Sequence, residues 1–247
     1  HLGNHFDIHG GGMDLTFPHH ENEIAQSEGA NNCSFVNTWM HVGFVNINDE
    51  KMSKSLNNFF TIREALEKYD GETLRYFLIS SHYRSPLNFS DENLTSAKSA
   101  LTRLYTAIRG LSASTKAMDQ VNIHFDYEKR FNEALDDDFN TPIALSILFE
   151  IAKHANTERE GDKDQAGALS KLLKKLGNHI GIMEYDADDY LKMGIELSDE
   201  KIDEKIRQRE SARASKDFAM SDQIRDELLA LGIILEDSIN GTTWRRK

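Results

Sequence analysis

The sequence has no long hydrophobic run and contains very little cysteine and proline. No stretch of about eighteen apolar residues occurs among its 247 residues, so no membrane-spanning helix is expected. Its one cysteine, Cys33, cannot form an internal disulfide, and no basic segment followed by an apolar one opens the chain. We therefore expect no signal peptide and a cytoplasmic location. The presence of only three prolines permits a mostly helical chain.

Acidic residues outnumber basic ones by 41 to 29, which gives a net charge of -12. A protein this acidic is not expected to be a general nucleic-acid binder. The imbalance is uneven, however, because residues 201–247 carry ten Lys/Arg against nine Asp/Glu. Any nucleic acid would be bound locally, at this end of the chain, although the charge alone fits an ordinary acidic protein equally well.

The first part of the chain has the periodicity of a small α/β unit. Phe6 and Ile8 alternate with polar residues and predict a strand that runs into Gly10–Gly12. Val42–Ile47 predicts a second strand, and Pro18 is expected at the first position of the helix between them. A strand that ends in glycines is typical of the carboxyl edge of a parallel sheet, where ligands bind.

Helical periodicity begins at a capping box predicted for Thr61 and Glu64. Asp70 or Gly71 is expected to break this helix, and a second helix is predicted to place Leu74, Phe77 and Leu78 on one face. Residues 80–89 carry no clear period and are predicted to be a connector.

Apolar residues at three- and four-residue steps predict a helix bundle over residues 90–183, opened by an N-cap at Ser90. The acidic stretch 184–200 predicts an irregular linker. Residues 201–247 predict two charged helices and a hairpin that turns at Asn240-Gly241. The apolar positions of the bundle are Leu94, Ala97, Leu101, Leu104, Ile108, Leu111, Phe131, Ala134, Leu135, Ile143, Ile147, Leu148, Ile151, Leu169, Leu172, Leu173 and Leu176, with Gly177 expected to end the last helix.

The residues Lys51–Ser55 spell KMSKS within a polar, turn-rich segment. Lysine ammonium groups are compact charges that can stabilise a transferring phosphoryl group. The alternative is a basic turn whose serine caps a helix, but five specified residues in this order favour a functional loop. Lys51 and Lys54 are therefore the candidate catalytic residues, and Met52, Ser53 and Ser55 complete the motif.

Histidine is concentrated near the start, with six of the ten in the first 41 residues. His19 and Glu23 are spaced i, i+4, so a helix would place both side chains on one face. Imidazole and carboxylate both bind zinc, but a site needs three or four ligands, and an isolated pair is more often an exposed polar pair. Cys33 lies in a predicted surface loop and is expected to take no part.

The glycines of DIHGGGMDL would let a nucleotide approach the backbone closely at the end of the first strand. Asp14 could accept hydrogen bonds from ribose hydroxyls, and His9 is expected to face the same pocket. A triple glycine alone is a weak signal, because many are plain turns. Its place after a predicted strand strengthens it.

Together these motifs resemble bacterial cysteinyl-tRNA synthetases, class I aminoacyl-tRNA synthetases. The segments DIHGGGMDLTFPHHENEIAQ, WMHVGFV, KMSKS, FLISSHYRSPLNFS, DDDFNTP and GTTWRRK occur in the order and spacing of that family. The resemblance covers the C-terminal half to two-thirds of the enzyme. It implies that an upstream half with the HIGH motif is missing, so this chain alone is expected to be inactive.

The resemblance implies a mostly α fold with a small α/β part. Residues 1–47 would end a Rossmann-type catalytic domain, and residues 48–89 would hold the KMSKS loop and a stem-contact segment. Residues 90–183 would form an antiparallel helix bundle and 184–200 a linker. Residues 201–247 would be a small α+β anticodon-binding module.

The implied activity is that of a cysteine–tRNA ligase. Such an enzyme activates cysteine with Mg-ATP to cysteinyl-adenylate and transfers the cysteinyl group to the 3′ end of tRNA(Cys). Its partners would be tRNA(Cys), ATP and cysteine, with no membrane, and a monomer is expected. In the family, Lys54 would contact ATP, Gly12 and Asp14 would lie on the nucleotide side, and His9 would lie near bound cysteine.

The resemblance also implies one zinc ion per full-length chain, bound to the thiolate of the substrate. Sulfur is a softer ligand than a hydroxyl oxygen, so serine would be rejected without an editing domain. His19 and Glu23 would be two of four protein ligands, and the two cysteines that complete the set in the family are absent from this sequence.

The C-terminal module has the chemistry to face RNA, because arginines lie along its predicted helices and Trp244 precedes three basic residues. By resemblance, Arg213, Asp222, Asp237 and Trp244 are the expected anticodon contacts. From the residues alone, each aspartate would be a solvated helix or turn position.

Two alternatives remain at this point. A ligase that joins cysteine to a small amine would share the catalytic half, but a small acceptor needs no anticodon-binding module. A nonenzymatic RNA-binding protein would have no use for KMSKS and HHENE, although a separate fragment could behave as one.

We predict that Lys54→Ala in the full-length enzyme lowers cysteine-dependent ATP–pyrophosphate exchange at least about a hundredfold, because it removes charge from the activation transition state. Lys68→Ala, in the following helix, is the control and should leave exchange near normal. Near-normal exchange in Lys54→Ala would rule out its assigned role.

Overall fold

The computed structural model describes residues 2–48, 50–52, 61–111, 122–194, 197–238 and 241–247. The strands are β1 (Phe6–Gly12), β2 (Val36–Val42), β3 (Val45–Ile47), β4 (Glu50–Lys51), β5 (Leu87–Phe89), β6 (Ile233–Ser238) and β7 (Gly241–Arg246). The helices are α1 (Glu21–Asn31), α2 (Ile62–Lys68), α3 (Gly71–Ile79), α4 (Asp91–Ile108), α5 (Asn122–Asp136), α6 (Thr141–Glu158), α7 (Lys163–His179), α8 (Ala187–Lys192), α9 (Asp199–Ala214) and α10 (Phe218–Ala230). Short turns of 3₁₀ and π helix, Met13–Leu15 and Thr16–His20, precede α1.

β1 and β2 form a parallel pair that α1 connects, so the expected α/β unit is present. Phe6 lies opposite Val36, and Gly12 lies opposite Val42. The glycines are the last residues of β1 itself. Among the described residues no third strand joins this pair, and the side chains of Ile8 and Val42 are 58% and 46% exposed.

Two expectations for this part are wrong in their bounds. Pro18 lies in a π turn before the helix, and α1 begins only at Glu21. The strand predicted over Val42–Ile47 is divided, because β2 ends and β3 begins on either side of Gly43. The amide of Gly43 donates a hydrogen bond to the carbonyl of Tyr83 at 2.8 Å, which diverts the backbone from the β1–β2 ladder.

A second sheet has the order β4-β3-β5, with β4 antiparallel and β5 parallel to β3. β5 lies within residues 80–89, so the prediction of a connector is wrong for its last part. Three residues carry too little alternation to indicate a strand, and only the pairing with β3 reveals it.

The capping box is confirmed, because the amide of Thr61 donates to the Glu64 carboxylate at 2.6 Å and the amide of Glu64 donates to the Thr61 hydroxyl at 3.3 Å. Asp70 is the N-cap of α3, and its carboxylate accepts from the Thr73 amide at 2.8 Å. Phe77 is buried as predicted, but Leu78 is 56% exposed. The buried stripe of α3 follows a different set of three- and four-residue steps, through Thr73, Tyr76 and Phe77.

Helices α4 to α7 form the predicted bundle around one hydrophobic core. Ser90 caps α4, with its hydroxyl accepting from the Asn93 amide at 3.2 Å. Two predictions for the bundle are wrong: α7 continues two residues beyond Gly177, and Ile143 is 48% exposed. The fully buried residues that the periodicity predicted are Leu94, Leu101, Leu104, Phe131, Ile147, Leu148, Ile151, Leu169, Leu172 and Leu173.

The prediction of an irregular linker over residues 184–200 is wrong, because the segment contains α8. The ring of Tyr190 stacks on the ring of Tyr105 with centroids 4.0 Å apart, and Leu191 is also buried. The acidic composition is misleading because Asp186 is the N-cap of the helix.

The C-terminal module combines α9 and α10 with the β6–β7 hairpin around a separate small core. The hairpin is confirmed by the pairing of Ser238 with Gly241, while Asn240 lies outside the described residues. The core consists of Ile202, Ile206, Ile224, Leu228, Ile233 and Trp244.

The structure confirms the predicted fold class, which is mostly α with a small α/β part. Within the part of the chain that the structure describes, no helix is both long and apolar enough to cross a membrane.

We predict that Leu101→Ala lowers the free energy of unfolding of the bundle by about 3 kcal/mol, because Leu101 is fully buried in α4 and its truncation leaves a cavity. Leu78→Ala, at an exposed helical position, should change it by less than about 0.5 kcal/mol. Urea denaturation of the full-length protein, followed by circular dichroism, measures both. Equal losses for the two variants would contradict the core assignment.

Candidate functional site

The carboxyl ends of β1 and β2 bring glycines beside imidazoles. Gly11 lies opposite His41, and Gly12 lies opposite Val42. A Cβ atom on Gly11 would lie 2.5 Å from Cε1 of His20, so only glycine allows this ring to pack against the strand. The glycines were expected to let a nucleotide approach the backbone, but at Gly11 it is the ring of His20 that occupies this space.

Asp14, which the resemblance places on the nucleotide side, lies in the turn that follows β1. Its Oδ1 lies 2.5 Å from the position that a Cβ on Gly12 would occupy, so the carboxylate folds back over the glycine. Asp14 is exposed at the edge of the sheet. The structure therefore brings these two predicted site residues together.

Three imidazoles cluster around the indole of Trp39 at the same edge. His9 stacks on Trp39 with ring centroids 4.5 Å apart, and His20 lies 4.9 Å from Trp39. Nδ1 of His20 and Nε2 of His41 share a hydrogen bond of 2.9 Å. Burial lowers the pKa of His20, and the nearby imidazoles of His9 and His41 lower this pKa further. Both effects favour the neutral imidazole, which is the form that binds metals.

Of this cluster, only His9 is a predicted site residue. The signal for the others is the crowding of histidines in the first 41 residues, which gives no indication of which rings meet. The parallel register of β1 and β2 brings them together, and local sequence does not encode that register.

Glu23 is the centre of a possible metal site. Its Oε1 lies 3.1 Å from Nε2 of His19, and its Oε2 lies 3.5 Å from Nε2 of His9. One ligand atom from each of His9, His20 and Glu23 lies within 4.8 Å of the others. The structure thus joins the predicted pair His19 and Glu23 and adds two imidazoles, while the side chain of His19 is 60% exposed.

An orphaned carboxylate oxygen supports a metal at this position. Oε2 of Glu23, which lies 3.5 Å from Nε2 of His9, is buried and has no hydrogen-bond partner. Such atoms are costly unless something else satisfies them. Two imidazoles and a carboxylate fit a zinc ion with one position open to a substrate. Cys33 is exposed, and its Sγ donates a hydrogen bond to the carbonyl of Asn4 at 3.6 Å.

The KMSKS motif begins at β4. Lys51 pairs with Asn46 of β3, and the amide of Met52 donates to the carbonyl of Val45 at 3.2 Å. Ser53, Lys54 and Ser55 lie outside the described residues, so their roles stay predictions.

In the C-terminal module Asp237 is surrounded by donors. Arg209 donates to both of its carboxylate oxygens, at 2.8 and 2.9 Å, and Arg213 donates at 3.1 Å. Thr242 donates at 2.7 Å. These hydrogen bonds, the Arg209 contact above all, hold the pKa of Asp237 far below its ordinary value. Asp237 therefore orients two guanidinium groups, of which Arg213 is half exposed.

The other two expected anticodon contacts differ in accessibility. Asp222 is 65% exposed, 3.7 Å from Arg225, and is open to a ligand. The expectation for Trp244 is wrong as far as its ring is concerned, because the residue is 3% exposed in the core of the module. Its ring is also covered by the ammonium group of Lys192, 4.9 Å from the centroid. It cannot stack on a base.

Three family profiles match the chain in order. One described as the tRNA synthetases class I (C) catalytic domain matches residues 1–99, and the DALR domain matches residues 130–184. The Cysteinyl-tRNA ligase anticodon binding domain matches residues 198–245.

Curated relatives are similar over the whole chain. The cysteine–tRNA ligase of Thioalkalivibrio sulfidiphilus is 56% identical over 247 residues, which are 99% of this chain and 53% of the relative. That of Methylococcus capsulatus is 56% identical over 249 residues, which cover 100% of this chain and 54% of the relative. The chain spans about half the length of these relatives.

A solved structure supports the fold. The LeuRS–tRNA–LeuAMS ternary complex from Agrobacterium radiobacter K84 matches with a TM-score of 0.52 and 17% identity, covering 74% of this chain and 27% of that one. At this identity the likeness concerns the fold alone.

We predict that Asp237→Asn destabilises the C-terminal module by about 2 kcal/mol, because it leaves the buried guanidinium of Arg209 without its counter-charge. The loss is smaller than for a fully buried ion pair because the carboxylate is 44% exposed and partly screened by water. Thermal unfolding of the full-length variants measures the loss, and Asp222→Asn, at an exposed position, is the control.

The same pair sets a pH dependence. Because the folded-state pKa of Asp237 is lowered, its contribution is complete above the ordinary carboxyl pKa of about 3.9 and is lost as pH falls towards the folded-state value. As the pH is lowered from about 6 to about 3, a range that spans the ordinary carboxyl pKa, the stability of Asp237→Asn should therefore fall less steeply than that of the wild-type protein. An equally steep fall in both proteins would contradict the ion pair.

Proposed function

Because the chain belongs to the cysteinyl-tRNA synthetase family, we propose that the protein joins cysteine to the 3′ end of its tRNA in an ATP-dependent reaction. One observation carries the proposal above the others. A class I catalytic segment and an anticodon-binding segment specific to cysteinyl-tRNA ligases follow each other in one chain. The reaction would serve protein synthesis in the cytoplasm.

The site at the sheet edge suits cysteine as the substrate. His9, His20 and Glu23 would hold a zinc ion, with His19 on the solvent side of Glu23. Zinc bound there supplies a Lewis acid that prefers a thiolate to a hydroxyl group. Nδ1 of His20 would donate its hydrogen bond to Nε2 of His41, which fixes the ring and leaves Nε2 of His20 free for the metal, and stacking on Trp39 fixes the ring of His9. The ligands are therefore preorganised for cysteine rather than serine.

ATP would lie along the glycine edge of the same strand pair. Gly12 leaves room at the backbone, and the exposed carboxylate of Asp14 would accept hydrogen bonds from ribose hydroxyls. Lys51 and Lys54 of KMSKS would bring positive charge to the phosphates of Mg-ATP as cysteinyl-adenylate forms. β4 places the start of that motif beside β3, which follows β2 directly.

The C-terminal module would bind the anticodon of tRNA(Cys). Arg213 and Asp222 are the accessible candidates for contacts with base edges. Asp237 would act mainly by orienting Arg213. A module built for this purpose also disfavours the alternative acceptor, a small amine, which would make no contact with it.

We predict that Glu23→Gln in the full-length protein lowers bound zinc and raises KM for cysteine in pyrophosphate exchange by about tenfold or more, because it replaces a charged ligand by a neutral amide. Glu21→Gln, an exposed glutamate in the same helix, should change neither. Metal analysis after dialysis and exchange assays with cysteine and serine give the two readouts.

The outcome that would refute the zinc assignment is full zinc content with an unchanged KM in Glu23→Gln. The proposed function itself fails if the full-length wild-type protein neither exchanges pyrophosphate with cysteine nor charges tRNA.

A further inference from the structure

An exposed group of planar side chains lies where the connector before β5 meets the loop between α5 and α6, and none of its residues has been given an individual role above. It consists of His82, Tyr83, Arg84 and Phe139, which we call the connector surface. His82 stacks on Tyr83 with centroids 4.9 Å apart, and Arg84 lies over the Tyr83 ring at 5.0 Å. Phe139 meets the same ring edge-on at 6.4 Å.

The backbone at Phe139 is strained, and burial of the side chain does not offset this strain. Asp138 and Phe139 both have positive φ, 52° and 55°, which is uncommon for residues other than glycine and most unusual for a bulky one. The Phe139 side chain is nevertheless 55% exposed. Strain that presents an apolar ring to solvent is typical of a binding site.

A single carboxylate holds this arrangement in place. Asp138 accepts hydrogen bonds from the hydroxyl of Tyr83 at 2.6 Å and from Nε and Nη2 of Arg84 at 2.6 and 3.1 Å. The loop between α5 and α6 is thereby tied to the connector before β5. Phe139 is thus fixed against Tyr83 by its neighbour rather than by its own packing.

The connector surface adjoins the carboxyl edge of the β1–β2 pair. The carbonyl of Tyr83 accepts a hydrogen bond from the amide of Gly43, the residue that follows β2. A Cβ atom on Gly43 would collide with the carbonyl oxygen of Ser85, so the two segments are in direct contact. At the same edge Val42 pairs with Gly12 of the proposed ATP site.

The charge balance of the surface favours a base over a phosphate. The guanidinium of Arg84 is neutralised by Asp138, so it offers its planar face rather than a free charge. Aromatic rings and guanidinium planes are the groups on which proteins stack unpaired RNA bases. A phosphate would instead require uncompensated positive charge.

We propose that the connector surface stacks an unpaired base of the 3′ end of the tRNA and so guides that end to the sheet edge where transfer takes place. The inference rests on the proposed function, which supplies the RNA and the place to which its 3′ end must come. Phe139 and Tyr83 are positioning residues, because they act on the RNA and not on the reacting atoms.

The test uses the full-length protein and a tRNA transcript that carries 2-aminopurine at one unpaired position of its 3′ end, taken in turn. The fluorescence of this base is expected to fall on binding, as the base stacks. Phe139→Asn removes the ring but suits the left-handed backbone, so the variant should fold. It should abolish the quenching and lower kcat/KM for tRNA by about tenfold, with pyrophosphate exchange unchanged.

Two further variants separate stacking from other effects. Phe139→Tyr keeps a ring and should restore both quenching and charging. Phe218→Asn removes another exposed phenylalanine, 63% exposed at the start of α10, and should leave the quenching intact.

Retained quenching and unchanged kcat/KM in Phe139→Asn would overturn the inference. So would a variant whose only change is its state of association in sedimentation, since the surface would then join two protein copies. A wild-type protein that does not charge tRNA would instead refute the proposed function, so the two failures are distinguishable.

Discussion

The packing of the helices depends on the buried carboxylate of Glu72, which needs hydrogen-bond donors to be stable in the core. Glu72 of α3 is 6% exposed, and burial raises its pKa. The hydroxyl of Tyr105 donates to both of its oxygens, at 3.0 and 2.9 Å, and accepts in turn from the amide of Tyr185 at 3.1 Å. Because Tyr105 also stacks on Tyr190, this one contact fixes α3, α4 and α8 together. A carboxylate left without hydrogen bonds at this position would destabilise the fold by more than most single contacts stabilise it.

Arg109 connects the helix bundle to the C-terminal module. It lies at the end of α4 with 13% of its side chain exposed. Its guanidinium donates to Asp188 of α8 at 2.8 Å, to Glu236 of β6 at 3.3 Å and to the carbonyl of Trp244 in β7 at 2.9 Å. Arg159 donates to the carbonyl of Arg109 itself, which satisfies the end of α4. The hairpin is thus held to the bundle through directional, charge-assisted hydrogen bonds rather than through a shared apolar core.

The sequence predicted the features that depend on neighbouring residues, but it did not predict those that depend on contacts between distant segments. The capping box at Thr61 and the apolar steps of α4 to α7 were predictable, since each follows from residues within one or two turns. The helix around Tyr190 was not, because its acidic neighbours mask a ring whose partner lies 85 positions earlier, at Tyr105. His20 joins the candidate site only through strand register, and Trp244 has an RNA-binding composition around it but is needed for the core. Composition indicates chemistry, but it does not decide which face of an element is buried.

The parallel pair of β1 and β2 has a consequence for how this polypeptide behaves in solution. Both outer edges of the pair present backbone donors and acceptors that no other described strand engages. Apolar side chains beside them, including Ile8, Phe17 and Val42, face water. Open edges of this kind are templates on which further strands assemble, either the remainder of a sheet or another copy of the same chain. Expressed by itself, the 247-residue polypeptide should therefore aggregate through its N-terminal segment, while its helical bundle remains folded within the aggregate.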